Sequence, residues 1–155
     1  MNEPTVTVEE APDRVVRRSI VVDAPPSAIF DLLADPRRHG EIDGSGTVRD
    51  AKVNAPERLS EGVTFGMNMK MGVPYPITNT VVEFQEDERI AWRHMGRHVW
   101  RYVLEPVDDD RTKVIEEFDW RTARLPPALE LAKIPRRNTA AIEATLRRLA
   151  DTFSD

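Results

Sequence analysis

Residues Ile134 to Phe153 read IPRRNTAAIEATLRRLADTF, and this stretch decides the fold. Apolar residues fall at Ile134, Ala141, Ile142, Leu146, Leu149, Ala150 and Phe153. Intervals of three and four put them in one stripe along an α-helix. Arg136, Arg137, Glu143, Arg147, Arg148 and Asp151 mostly fall elsewhere on the wheel and should face water. Pro135 suits the first turn, where its missing N–H costs nothing. Before this helix, from about Val63 to Trp120, nearly everything reads as strand. A long amphipathic helix after a run of antiparallel strands needs a surface to cover, and that run supplies one. The expectation is an α+β domain whose curved sheet wraps around this helix, with the functional space between them.

A chain of 155 residues suits one domain with one core. Residues 1–13 are acidic and carry two prolines, and are expected to form a flexible tail before a single domain over 14–155. A hydrophobic fraction of 40% against 32% charged residues is the profile of a globular chain rather than a disordered one. The net charge of −5 supplies no overall positive field to attract nucleic acid or an anionic membrane. No apolar run is long enough to span a bilayer, and the N-terminus lacks the basic and apolar regions of a signal peptide. The expected location is therefore cytoplasmic, with no membrane insertion and no nucleic acid partner. The absence of cysteine removes disulfides, thiol catalysis and thiolate metal sites together. The three histidines, His39, His94 and His98, form no zinc spacing, and no GxSxG, Walker A or GxGxxG motif occurs. No metal and no cofactor are expected.

The first strand is Val15 to Val22, rich in β-branched residues. A helix from Pro26 or Ser27 to Ala34 carries Ile29, Phe30, Leu32 and Leu33 mostly on one side. Asp35 is placed to cap a second short helix over Pro36 to Glu41. A weak strand spans Thr47 to Val53. Stronger ones span Val63 to Met71, Ile77 to Gln85, Ile90 to Met95, Val99 to Glu105 and Thr112 to Trp120, with a turn at Gly72 to Pro76. This makes a sheet of about six or seven strands, with two short helices after the first. Arg121 to Lys133, stiffened by Pro126 and Pro127, must carry the chain back across the concave side, where it would control access; the sequence does not say whether it acts as a lid.

Strand parity gathers an aromatic and methionine wall: Phe65, Met67, Met69, Trp92, Trp100, Tyr102, Phe118 and Trp120. Any one of these is more often a core residue beneath the last helix. As a group they suit a cavity, since Met accepts varied apolar shapes and Trp and Tyr bring polar handles. An apolar cavity with a few polar groups is the usual form of a small-molecule site, so a hydrophobic small molecule is the expected partner. Glu116 shares parity with Val114, Phe118 and Trp120 and should point inward, unless it is an edge residue in solvent or paired with arginine. Burial would raise its pKa towards the acid–base range. His94 alternates with Ile90 and Trp92 and is a candidate general base or ligand-orienting group, with a solvated strand end as the plainer reading. His98 is placed in or beside the turn. Asn138 lies on the inward side of the last helix, one turn before Ile142, where the plainer reading is a polar residue near a helix start.

Several stretches resemble the START-like (SRPBCC) superfamily in its polyketide cyclase/dehydrase branch. Val21-Val22-Asp23-Ala24-Pro25 leading into Ile29 to Pro36 is similar to its first strand and helix pair, and His39 to Gly46 to the loop that follows. Arg89-Ile90-Ala91-Trp92 and Trp100 to Pro106 resemble its central hairpin. The resemblance covers roughly Val15 to Phe153. It departs at Ile42, where members often carry a Trp that walls the pocket entrance. It implies the helix-grip fold, and functions that range over cyclases, hydrolases, lipid carriers, hormone receptors and co-chaperones; fold alone does not choose among them. Three expectations follow. One is binding of a lipid, polyketide or aromatic metabolite between sheet and last helix. Another is a cofactor-independent polyketide cyclase or dehydratase using Glu116 and His94, aided by Tyr102. The third is a protein-interaction domain. A homodimer is compatible with the sequence, but nothing in it specifies one.

Overall fold

A computed structural model describes residues 4–42, 48–51, 57–71, 73–94 and 97–154, with the side chains of 40, 48–51, 67–71 and 73–77 outside the description. The alternating segments form one antiparallel sheet. Its strands are β1 (Thr7–Val8), β2 (Val15–Val22), β3 (Val48–Ala51), β4 (Thr64–Met71), β5 (Val73–Gln85), β6 (Arg89–Arg93), β7 (Val99–Pro106) and β8 (Thr112–Asp119). Their order is β1-β2-β8-β7-β6-β5-β4-β3, so the first long strand pairs with the last. Helices α1 (Pro26–Leu33) and α2 (His39–Ile42), joined by a 3-10 turn at Pro36–Arg38, follow β2. Helices α3 (Pro126–Leu131) and α4 (Ile134–Thr152) follow β8. This is the helix-grip fold, with α4 lying against β2 and β8.

Local signals behave as their chemistry requires. The Asp35 carboxylate accepts the Arg37 N–H at 3.0 Å and caps the 3-10 turn. Pro135 occupies the first turn of α4, after Lys133 in a left-handed conformation with φ 60°. Ile29, Phe30, Leu32 and Leu33 of α1 are all fully buried, and Phe30 meets Phe84 edge-on with centroids 5.3 Å apart. Ile42 is also buried in this core.

The structure departs from the sequence reading in two places. Thr7–Val8, in the segment expected as a tail, pairs with Ser19 and Arg18 and adds an eighth strand. Ser19 Oγ donates to Glu9 Oε1 at 2.8 Å, and Lys113 pairs with the same oxygen at 3.1 Å. The second correction concerns β5, which starts at Val73, so Pro74 and Pro76 sit in a strand rather than a turn. They face Lys70 and Asn68 of β4, while β6 pairs with β5 only from Thr80 onward. That half of β5 has a ladder on one side, and proline is tolerated where the missing N–H would face away from it.

The convex face carries an ion ladder. Arg17, Glu117, Arg101 and Ala91 lie in register across β2, β8, β7 and β6. Arg17 donates to Glu117, Arg101 Nη1 to Glu117 Oε1 at 3.1 Å, and Arg101 Nη2 to Glu83 Oε2 at 2.7 Å. Burial opposes the Arg101 charge, but Glu83 and Glu117 outweigh it and raise its pKa. Burial likewise works against Asp119, yet Arg121 and then Arg101 hold its pKa low.

Candidate ligand-binding face

Cross-strand register stacks the concave residues in rows. One row runs Trp92, Trp100, Phe118 and Val16; the next runs Ile90, Tyr102, Glu116 and Arg18. Side chains directly opposite on one face of a sheet touch, so alternation alone builds an aromatic surface. Trp100 and Phe118 have centroids 5.0 Å apart, and Phe118 stacks on Trp120 at 5.4 Å. Trp92 meets Tyr102 at 5.8 Å and Phe65 edge-on at 5.7 Å. Six of the residues singled out in the wall thus form two contacting groups: Phe65, Trp92 and Tyr102, and Trp100, Phe118 and Trp120. Met67 and Met69 occupy β4 facing Ile77 and Tyr75, and their side chains lie outside the description.

The polar groups sit within this surface. Glu116 is 2% exposed, and Tyr102 Oη donates to its Oε2 at 3.0 Å. Its neighbour in the row, Arg18, donates from Nε to Glu143 Oε2 of α4 at 3.1 Å, tying sheet to helix. Glu116 is thus withdrawn from solvent and hydrogen-bonded by a buried phenol. His94 is half-buried, and burial lowers its pKa. Asn138 is half-buried on α4, four residues before Ile142, the first buried position of that helix.

Two histidines matter more than the sequence suggested. His98, read as a turn residue, stacks on His94 with centroids 4.6 Å apart and meets Phe118 at 5.3 Å. Its Nδ1 is buried with no hydrogen-bond partner among the described residues. Burial, and then the facing His94, push its pKa down to about 4. The parity of Trp100, Tyr102 and Leu104 extends to position 98 and carried this signal. His39, at the start of α2, is buried and stacks on Trp92 at 5.0 Å. It donates from Nε2 to the Leu33 carbonyl at 2.8 Å, since a carbonyl can only accept.

A wall of aromatic rings around a buried phenol–carboxylate pair, on the inner face of a sheet that grips a helix, defines a START-like domain of the polyketide cyclase type. The chain belongs to the family described as polyketide cyclase / dehydrase and lipid transport, which matches residues 13–154. It is 40% identical to the uncharacterized protein Rv0088 of Mycobacterium tuberculosis, over 97% of this chain and 69% of that protein. Among solved structures it is similar to a protein from Rhodobacter sphaeroides, with a TM-score of 0.71 at 14% identity, covering 95% of this chain and 96% of that one. It is also similar to the di-domain ARO/CYC protein BexL from the BE-7585A biosynthetic pathway, with a TM-score of 0.71 at 19% identity. That match covers 89% of this chain and 45% of BexL. No helix among the described residues is long and apolar enough to cross a membrane.

Proposed function

We propose that the chain binds a hydrophobic small molecule, of lipid, polyketide or aromatic kind, between the sheet and the N-terminal half of α4. One observation carries this reading. Trp92 and Trp100 lie on the concave face yet are only partly buried, while Ile90, Leu104 and Val114 on the same face are buried. Large aromatic surface left accessible on the inner side of a gripping sheet is surface for a ligand to cover. The Tyr102–Glu116 pair supplies a polar anchor at its edge, and Asn138, half-buried in the N-terminal half of α4, is a further polar candidate. The family description includes lipid transport, which accords with this reading.

The test is native mass spectrometry of gently purified protein beside titration with an apolar fluorescent dye, read through tryptophan emission. A released mass of a few hundred daltons, or saturable dye binding that quenches tryptophan, is the expected result. Bare protein that binds no apolar dye overturns the proposal.

A second reading, a cofactor-independent cyclase or dehydratase, is favoured by the buried hydrogen bond from Tyr102 to Glu116. A phenol, a carboxylate and the neutral His94–His98 pair offer proton donors and acceptors beside an aromatic surface that would fold a reactive chain. On this reading Glu116→Gln and His94→Gln each lower turnover of the captured ligand without lowering its binding. Unchanged turnover in both variants would leave the binding reading alone.

A further inference from the structure

Many arginines among the described residues are paired with carboxylates. Arg17 and Arg101 hold Glu117, Arg58 holds Glu86, Arg111 holds Asp108 and Arg121 holds Asp119. Around α3 the pattern changes. Arg124, Lys133, Arg136 and Arg137 are all exposed and have no acidic partner among the described residues. Arg97, also exposed, joins them from the β6–β7 turn, because Thr122 Oγ1 donates to its carbonyl at 2.7 Å. Glu130, the one acidic residue between Arg121 and Arg137, does not balance these charges. Its Oε1 already accepts from Trp120 Nε1 at 3.0 Å and from Arg14 Nε at 2.8 Å.

The apolar residues of this segment are equally unusual. Leu131 is 87% exposed and Leu125 69%, the two most exposed large apolar side chains described. Leu125 precedes α3 and Leu131 ends it; the helix buries no residue fully, while Leu129 between them packs against the core. The hydrogen bond from Trp120 to Glu130 fixes α3 at the end of the aromatic wall. Protruding leucines ringed by unneutralised cations therefore stand at the mouth of the ligand-binding face.

We infer that this surface docks the mouth onto an anionic lipid bilayer. A bilayer interface accepts isolated leucines below the headgroups while basic side chains meet the lipid phosphates. A nucleic acid would meet the cations but has no place for the leucines. The net charge of −5 does not oppose docking. Charges on the far side lie beyond the screening length of about 8 Å at physiological salt, so the local patch governs contact. The inference rests on the apolar-ligand reading, because a bilayer is where such a ligand partitions before capture or after release.

The experiment is flotation of the full chain with vesicles of phosphatidylcholine alone and of phosphatidylcholine mixed with phosphatidylglycerol. Binding should appear only with the anionic lipid and weaken with added salt. Arg124→Gln, Arg136→Gln and Arg137→Gln together should weaken it about a hundredfold, since each basic residue near such a surface contributes about fivefold. Arg147→Gln removes a charge from an exposed site about three turns further along α4 and should leave binding unchanged. Leu125→Ser with Leu131→Ser should weaken it about tenfold. No vesicle binding, equal binding to neutral vesicles, or equal loss in Arg147→Gln overturns the inference. Binding undiminished by the serine changes also overturns it, by assigning the patch to a soluble polyanion or acidic protein. Dye binding without vesicles separates the two readings: a chain that keeps dye but ignores vesicles loses only the docking inference.

Discussion

From Ile142 to Ala150, α4 presents Ile142, Thr145, Leu146, Leu149 and Ala150 as buried side chains. From Ile134 to Ala141 the same helix, over the same sheet, buries none fully. The sheet shows the same division. Ile20, Leu104 and Val114 belong to the sealed half, together with Ile29, Phe30 and Leu33 of α1. Trp92, Trp100, His94 and His98 belong to the other half and keep part of their surface. Alternation is identical in both halves, so the sheet does not make the difference. What differs is the covering layer: α1 and the C-terminal half of α4 over one half, and α3 with its prolines near the other. One half stabilises the fold; the other, on the proposed function, is left to bind.

That comparison is broken most severely at Leu146. Leu146→Ala should cost about 3 to 4 kcal/mol, because the side chain is fully buried and its site is closed on all sides. The urea midpoint should fall accordingly, while the folded fraction keeps its affinity for apolar dye. A loss of dye binding in folded Leu146→Ala protein would show that the two halves are not separable.

The sealed half was legible from sequence, since a stripe at intervals of three and four specifies which residues of α4 go inward. The parity of β8 likewise placed Glu116 inward, and the structure buries it beside Tyr102. The binding half was less legible. His39 reaches Trp92 from α2, a contact between elements distant in sequence that no local period encodes. His98 was hidden by its place beside a turn, although its parity is that of Trp100. Pro74 and Pro76 read as a turn because the sequence does not say which side of a strand lacks a neighbour. The patch around α3 was masked by the net charge, which averages over a surface where most other cations are paired.

Acid should weaken the binding half first. The His98 pKa of about 4 lies below its ordinary 6.5, so the unfolded chain binds the extra proton at intermediate pH and the folded chain does not. The stability this represents is complete above the ordinary value and is lost as pH falls towards about 4. At about pH 5 the loss is about 2 kcal/mol at most, and the lowered pKa of His94 acts in the same direction. Urea midpoints at pH 7 and about pH 5 should therefore differ more in wild type than in His98→Gln. Equal differences would place the His98 ring in solvent.

At the boundary between the halves, Tyr102→Phe removes the hydroxyl that donates to Glu116. The ring and its contact with Trp92 are kept, so the change isolates the hydrogen bond. A donor lost from a buried carboxylate should cost about 1 to 2 kcal/mol. It should also lower affinity for ligands with a polar head more than affinity for a purely apolar dye. An equal fall for both would make the pair a structural element rather than an anchor.

The smallest effect on stability is expected at Trp100, and it tests the comparison most sharply. Its ring rests on Phe118 and is only partly buried. Trp100→Leu keeps an apolar side chain on the strand and shortens only the accessible part. Stability should change by no more than about 1 kcal/mol, since little closed packing is lost. Apolar dye affinity should fall about tenfold, because the lost ring is surface that the ligand would cover. The contrast with Leu146→Ala is the point: one change costs stability and spares binding, the other spares stability and costs binding. If Trp100→Leu instead unfolds the protein as readily as Leu146→Ala, the wall is core, and the ligand must be sought elsewhere.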